Sequence, residues 1–452
     1  MPAKTAIHFD GLDLTYRNLW NQIQQTSSSL QVTKGDRVAW LGYNSPQMLV
    51  LLFALARLGA ILVPLNWRLT AAEHRSILED CKPKWIFSDA DFAAHAGSLG
   101  VPVGKPGKNS GAEGSDSDDV LIVYTSGTTG KPKGAVLTQS ALLCNGLNSI
   151  HAHDLTRSDH ILTALPMFHV GGLNNQTLPA LQAGASVTLH RRFDPAQWLS
   201  DVARRRPTIS LLVPATLQAV ISHPAWPSTD LSSLKMMNAG SMVVPDSLIL
   251  AFHARGIPVG QIYGCTETAP IAVVLLKEDA ARKLGSAGKP APHCEVKLVE
   301  NEIWVRGPNV MRAYWNDPAA TAAALTVDGW FKTGDLARID ADGYYWIIGR
   351  SKDVIISGGE NIYPAELENV LADCPAIAEA AVIGVDDPKW GEAACACIVR
   401  KASIDEQEVL DLFRDRLARF KHPRRVVFLE SLPRNAMGKV QKPELKRLVA
   451  GA

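Results

Sequence analysis

The sequence predicts an α/β protein: a large N-terminal lobe of layered sheets with a small β subdomain, followed by a small α+β C-terminal lobe. Three observations predict it. Short apolar strands alternate with amphipathic helical stretches from Arg37 to about Leu276, a pattern that builds layered and largely parallel sheets. Residues 293–349 read instead as antiparallel strands joined by Gly, Asn and Asp turns. After Arg350 the alternation restarts as a unit of about a hundred residues, enough for a core of its own.

The elements follow in order. Strands are expected at Arg37–Leu41, Trp85–Phe87, Val120–Tyr124, His160–Thr163, Ser186–Leu189, Ile209–Val213 and Pro258–Ile262. Between them, helices are expected at Ser45–Leu58, Gln139–His151, Gly172–Gln182, Pro195–Arg205 and Pro245–Ala254. The most apolar window, Met48–Leu65, is broken by Arg57, Gly59 and Pro64. It reads as a buried helix, a turn and a strand, and falls short of the ~18–20 uninterrupted apolar residues that a membrane span needs. The β subdomain takes His293–Val299, Glu302–Arg306 and Gly343–Ile348; the last lobe takes strands at 353–356, 379–385, 393–399 and 425–429 and helices at 364–372 and 405–417. The Gly/Ser-rich stretch Lys105–Asp118 reads as a flexible surface connector.

Composition narrows the function. The chain has 452 residues, 46% hydrophobic and 20% charged, the profile of a globular protein large enough for several cores. Forty-six Lys and Arg against 45 Asp and Glu leave a formal charge of +1. That supplies no bulk field for nucleic acid or an anionic membrane. The seven cysteines are odd in number and lack CxxC or Cys/His ligand spacing, so reduced thiols are expected. Cys395 and Cys397 alternate with alanines and share one strand face, read as a core face. No signal-peptide segment opens the chain, and a cytoplasmic location is expected.

The most informative segment is Tyr124-Thr-Ser-Gly-Thr-Thr-Gly-Lys-Pro-Lys-Gly134, between an apolar strand and an amphipathic run. Three glycines, four Ser/Thr hydroxyls and two lysines make a loop whose N–H groups can turn inward around phosphate oxygens. It is not the Walker A pattern, because Pro132 follows Gly130-Lys131 and position 125 is Thr.

This loop resembles the phosphate-binding signature of the adenylate-forming superfamily, which includes acyl-CoA and aryl-CoA ligases, luciferases and peptide-synthetase adenylation domains. Further signatures follow in order: Ala164-Leu-Pro-Met-Phe-His-Val-Gly-Gly-Leu173, Tyr263-Gly-Cys-Thr-Glu-Thr268, Gly329-Trp-Phe-Lys-Thr-Gly-Asp-Leu336, Gly349-Arg-Ser-Lys-Asp-Val-Ile-Ile-Ser-Gly-Gly-Glu-Asn-Ile-Tyr-Pro364 and Pro433-Arg-Asn-Ala-Met-Gly-Lys439. Six concordant motifs cover essentially the whole chain.

The resemblance implies an acid–CoA ligase. A carboxylate would attack the α-phosphorus of ATP, pyrophosphate would leave, and the acyl-adenylate would pass its acyl group to CoA with release of AMP. It implies ATP contacts from Thr125, Ser126, Gly127, Thr128, Thr129, Gly130, Lys131 and Lys133. It also places Ala239, Gly240, Ser241, Tyr263 and Gly264 at the nucleotide, with Tyr263 beside adenine. Thr266 would contact the α-phosphate, and Glu267, a hard oxygen ligand, would hold Mg²⁺ together with Thr128. Asp335 would accept from the ribose hydroxyls, with Arg350 beside it. Lys439 would be the main catalytic residue, a cation at the pentavalent α-phosphorus. His169, Asn174, Gly264 and Thr268 would wall the acid pocket.

The same resemblance divides the chain into an AMP-binding domain over 1–350, a hinge at 351–352 centred on Lys352, and a mobile domain over 353–452. Lys439 and the phosphate loop then belong to different lobes, so the chemistry requires closure. After adenylation, rotation about the hinge would present Gly358, Gly359 and Glu360 to the pantetheine arm of CoA, where missing Cβ atoms admit a narrow ligand. The partners expected are a small carboxylic acid, ATP and CoA, with no nucleic acid and no integral membrane association, and with room for a homodimer. A short segment between Asp89 and Asp119 counts against long-chain acids. A loader of a carrier protein would share every motif but the acceptor surface. A non-catalytic adenylate sensor would have no need of Lys439.

Overall fold

The computed structural model describes residues 2–104, 113–125, 132–241, 244–434 and 439–450. Contacts divide the chain into two compact units. One runs to Val244 and adds Leu248–Lys297 and Trp304–Thr333; the other joins Pro245–Ser247 and Leu298–Ile303 to everything from Gly334 onward. By contacts, Gly334–Arg350 therefore go with the second unit.

Among the described residues, the first unit holds a nine-stranded and a six-stranded sheet. The larger has a parallel centre in the spatial order Val259–Tyr263, Met236–Gly240, Ile209–Leu212, His160–Thr163, Ser186–Leu189, Thr5–Phe9. Antiparallel strands close its edges: Val273–Leu275 and Lys289–Pro290 on one side, Leu12–Thr15 on the other. In the smaller sheet Asp119–Thr125, Ile61–Leu65, Arg37–Leu41 and Trp85–Ser88 are parallel, and Lys133–Thr138 and Ala313–Tyr314 add antiparallel strands. Strands covered on both faces must be apolar throughout, and Ile61–Leu65 is buried at every position.

The apolar window behaves as read. Ser45 caps the helix Pro46–Arg57 by accepting from the Met48 N–H, Pro46 opens it, and Met48–Leu52, Ala54 and Leu55 are buried. Gly59, at φ +64°, makes the turn into Ile61–Leu65. Two expected helices differ. Gly172–Gln182 is a short turn Val170–Gly172, a π-helical turn Leu173–Thr177 and a helix Leu178–Ala183. The widening has a local cause: the Thr177 hydroxyl donates to the Gly172 carbonyl at 2.7 Å, and Leu178 N–H reaches back to Leu173. The expected helix 405–417 stops at Glu406–Asp411, and Asp415 turns left-handed at φ +60°.

In the second unit Glu360–Ile362, Ile355–Ser357, Gly391–Arg400 and Ile377–Asp387 are paired in that order, with Arg425–Leu429 alongside Gly391–Arg400. Cys395 and Cys397 are fully buried there, on the core face that their alternation implies. Of the connector 105–118, residues 105–112 lie outside the described residues. Its end is anchored, since Asp118 accepts from the Ser115 N–H and pairs with Lys34 at 2.7 Å. No helix among the described residues is long and apolar enough to cross a membrane.

Candidate active site

The glycine-rich loop joins two strands of the smaller sheet. Asp119–Thr125 and Lys133–Thr138 pair antiparallel with Thr125 opposite Lys133, so the stem of the loop is fixed by a ladder. Ser126, Gly127, Thr128, Thr129, Gly130 and Lys131 lie outside the described residues. Tyr124, at the stem, donates its hydroxyl to Asp80 at 2.5 Å, and burial pushes its phenol far above the usual range. It is a structural post that stays protonated.

The segment Tyr263–Thr268 leaves the C-terminal end of the strand Val259–Tyr263 and folds back at once. A Cβ on Gly264 would fall on the Pro270 carbonyl oxygen, so only glycine fits. The Thr268 hydroxyl accepts from the Cys265 N–H at 3.0 Å and donates to the Pro270 carbonyl at 2.7 Å. Asn309 donates from Nδ2 to the carbonyls of Thr268 and Ile271 at 2.9 and 3.0 Å, pinning the loop from outside. Thr266 and Thr268 are buried. Thr268 therefore serves the loop itself.

Glu267 is aimed by a residue that the motifs do not contain. The Tyr314 hydroxyl donates to Glu267 Oε1 at 2.8 Å, and the Met311 N–H donates to the Glu267 carbonyl at 2.7 Å. Tyr314 pairs with Ala135 on the strand that follows the glycine-rich loop. Its ring carries the Lys133 ammonium 5.2 Å from the centroid. Glu267, Tyr314 and Lys133 thus join the Tyr263–Thr268 segment and the stem of the glycine-rich loop into one polar cluster. Among the described residues no three His, Cys, Asp or Glu side chains cluster as a metal cage. One hydrogen-bonded carboxylate suits Mg²⁺, which binds through one or two carboxylates plus substrate phosphates.

Of the expected acid-pocket residues, His169 comes beside Ser241, and Asn174 is tied through Asn145 to the segment after Tyr263–Thr268. His169 Nδ1 accepts from the Gly171 N–H at 3.1 Å, which leaves the proton of the neutral ring on Nε2. A Cβ at Gly171 would lie 3.2 Å from that ring and 4.0 Å from the Ser241 hydroxyl, so His169 and Ser241 flank one point. Ala239 and Gly240 end the strand Met236–Gly240, and a Cβ at Gly240 would come 2.5 Å from the Ile262 carbonyl. Asn174 is buried on the π-helical turn. Asn145, missed in the sequence, ties that turn to the Tyr263 loop: it donates to the Asn174 carbonyl at 2.8 Å and accepts from Ile271 N–H at 3.0 Å. These groups gather at the carboxyl ends of parallel strands, where open α/β sheets place ligands.

The second unit carries the remaining residues. Asp335 and Arg350 face each other across antiparallel strands Phe331–Ile339 and Tyr345–Arg350. Arg350 Nε lies 2.7 Å from Asp335 Oδ1, with the Asp335 side chain 10% exposed and that of Arg350 46%. A carboxylate held in this way is an acceptor group of the kind that a diol needs. Lys352 is exposed in the 3₁₀ turn Ser351–Asp353. Gly358 and Gly359 turn the hairpin at φ +61° and +89°, the left-handed pair of a two-residue turn. Gly358 is packed, since a Cβ there would lie 2.6 Å from Trp390, whereas nothing lies within 4 Å of one at Gly359. Glu360 is exposed, and so is Lys439, beside the bridge between Arg434 and Val440.

Residues of types suited to phosphate, metal and hydroxyl groups point to a class: an enzyme that handles an adenosine phosphate. Residues 1–315 match the family model described as AMP-binding enzyme and residues 366–439 that of the AMP-binding enzyme C-terminal domain, and the chain belongs to this family. It is 48% identical to an indoleacetate–CoA ligase of Aromatoleum aromaticum, over 99% of this chain and 96% of that one. It is 41% identical to a feruloyl-CoA synthase of an Amycolatopsis species, again over 99% and 96%. Among solved structures, o-succinylbenzoate CoA synthetase from Bacillus subtilis in complex with its acyl-adenylate superposes with TM-score 0.89 at 33% identity, over 99% and 96% of the two chains. ATP-bound MatB from Rhodopseudomonas palustris gives 0.88 at 32%, over the same shares. The chain is an AMP-forming acid–CoA ligase that uses ATP, Mg²⁺ and CoA.

Proposed function

We propose that the acid is aromatic, a ring carried on a short carboxylate-bearing arm, and that the chain converts it to its CoA thioester in the cytoplasm. The observation that carries the chemistry is the Glu267–Tyr314–Lys133 link at the stem of the glycine-rich loop. The likeness across nearly the full chain to ligases named for indoleacetate and ferulate supports the ring. The acid oxygen attacks the α-phosphorus and pyrophosphate departs; the CoA thiol then attacks the acyl carbon and AMP departs. Mg²⁺ at Glu267 would neutralise phosphate charge.

In this reading Thr125, Lys133 and the loop between them grip the phosphates, and Thr266 meets the α-phosphate. Tyr263, with Ala239, Gly240 and Ser241, borders the nucleotide. Asp335 and Arg350 hold the ribose. Lys439 supplies the cation at the α-phosphorus. Lys352 is the hinge between an AMP-binding domain over 1–350 and a mobile domain over 353–452. Gly359, with open space on its Cβ side, is the point where pantetheine passes. His169, Asn174 and Gly264 wall the acid, and a homodimer is the assembly proposed.

The test is AMP formation with ATP, Mg²⁺ and CoA across aryl-acetic, cinnamic, dicarboxylic and aliphatic acids. Aromatic acids should lead in kcat/KM. A lead by aliphatic or dicarboxylic acids would overturn the assignment of the acid.

A further inference from the structure

We propose that Asn174 and Asn238 are specificity residues of the acid pocket, and that they select an aromatic acid whose ring carries an N–H or an O–H. The inference rests on the acid–CoA ligase reading above and names what the site reads on its acid.

The first observation is a helix with a polar buried stripe. Gln139–His153 buries Asn145, Asn148, Ser149 and His153, while Leu143 and Leu147 are 48% and 44% exposed. A helix on a globular domain normally turns its leucines inward; this one packs Leu142 and Ile150 on the main core but sets amides and a hydroxyl beside them on its buried side. The wall opposite is a row of the large sheet. Leu211 lies opposite Asn238, and Asn238 opposite Gly260. One step along the register of His160–Thr163 and Ile209–Leu212, Thr163 joins the same row. Thr163 and Asn238 are then two strand spacings apart, about 10 Å. Ala152 of the helix packs in one apolar cluster with Leu211 and Ile262 of the sheet.

The π-helical turn Leu173–Thr177 is the third wall. It is tied to the sheet by the Thr163 and Thr177 hydroxyls at 2.9 Å. It is tied to the helix by Asn145 on the Asn174 carbonyl and by the Ser149 hydroxyl on the Asn175 carbonyl at 2.5 Å. Wide turns of this kind concentrate at functional sites.

Two amides on these elements, one on the turn and one on the sheet row, have nothing to bond. Asn174 and Asn238 are each 1% exposed, and in both the Oδ1 and the Nδ2 lack a partner. Asn238 fills the space left by Gly260, where a Cβ would come 2.8 Å from its Oδ1. Buried amides are almost always hydrogen-bonded, and leaving one unpaired is costly. Each offers a donor and an acceptor. An alkyl chain or a bare ring would seal these atoms off unpaired, whereas a ring N–H or O–H gives an Asn oxygen its donor. A site built to bond such a group discriminates strongly against the analogue that lacks it.

The experiment compares kcat/KM for matched acids: indole-3-acetate against benzofuran-3-acetate, and 4-hydroxycinnamate against cinnamate. The wild-type chain should favour the N–H or O–H member of at least one pair by about tenfold or more. In Asn174→Leu and Asn238→Leu, which keep the side-chain size, that ratio should fall to about twofold or less, chiefly through KM. A change in the ratio separates selection from a general loss of fold. Should a variant fail to fold, the wild-type ratio still decides. Equal kcat/KM within both pairs, or a ratio unchanged in both variants, would overturn this inference and leave the ligase reading standing. No AMP from any aromatic acid would overturn the proposed substrate class, and this inference with it.

Discussion

Tyr314 gives the sharpest test of how the phosphate side is built. Its hydroxyl is the donor that holds the Glu267 carboxylate, at 2.8 Å, while its ring lies under Lys133. Tyr314→Phe removes the donor and leaves the ring, so the contact with Lys133 and the pairing with Ala135 survive. A hydrogen bond to a charged group contributes about 1.5–3 kcal/mol. Both residues are half-buried, so the lower value applies, about tenfold in kcat/KM for MgATP. The assay is pyrophosphate release at varied Mg²⁺ and ATP, with thermal unfolding as the control. Higher Mg²⁺ should recover part of the loss, and CoA-dependent conversion of supplied acyl-AMP should change little. A variant within twofold of wild type at every Mg²⁺ concentration would refute the idea that Tyr314 positions Glu267.

Three further outcomes are expected. Gly264→Ala should destabilise the chain by about 3 kcal/mol, because its methyl would collide with the Pro270 carbonyl; urea midpoints would show it, and an unchanged midpoint would contradict it. Burial pulls His153 and His160 down to about 4, so both are neutral in the folded chain while unfolded histidines take up a proton below about 6.5. Stability should therefore be fully present above pH 6.5 and fall as pH drops toward 4, by about 4 kcal/mol for the pair at pH 5; urea titrations from pH 7 to 5 test it, and a flat profile would count against neutral burial. Lys439→Ala should abolish adenylate formation but still convert supplied acyl-AMP and CoA to thioester, read as two half-reactions; equal loss of both would remove Lys439 from the first step.

The parts of the fold that were legible share a physical trait: their side chains declare a period or a stop. The strand His160–Thr163 and the helix Pro195–Arg205 fall where the alternation of apolar strands and amphipathic stretches places them. The strand Met236–Gly240 does not, because Met-Met-Asn-Ala-Gly has no β-branched residue and is buried at all five positions. The N-terminal hairpin and the helix Tyr16–Ser29 were equally quiet, the helix presenting a mostly polar sequence with only Leu19, Ile23 and Ser27 buried. Around the candidate site, residues that lie inside contiguous motifs could be picked out, while Tyr314, Asn145 and Asn309 could not. Each acts through a partner far along the chain, as Asn309 does on Thr268 and Tyr314 on Glu267, and only folding creates those pairs. Local pattern also misjudged 172–182, where a threonine hydroxyl competing for a backbone carbonyl opened the helix.

The most direct measurement follows one oxygen atom. With an acid labelled with ¹⁸O in its carboxylate, MgATP and CoA, products are resolved by mass. Attack of the carboxylate on the α-phosphorus followed by thiolysis at the acyl carbon should leave one ¹⁸O in AMP, none in pyrophosphate and one in the thioester carbonyl, with AMP and acyl-CoA formed in equal amounts. Label in inorganic phosphate with ADP as the nucleotide product, or AMP free of label, would contradict an acyl-adenylate route.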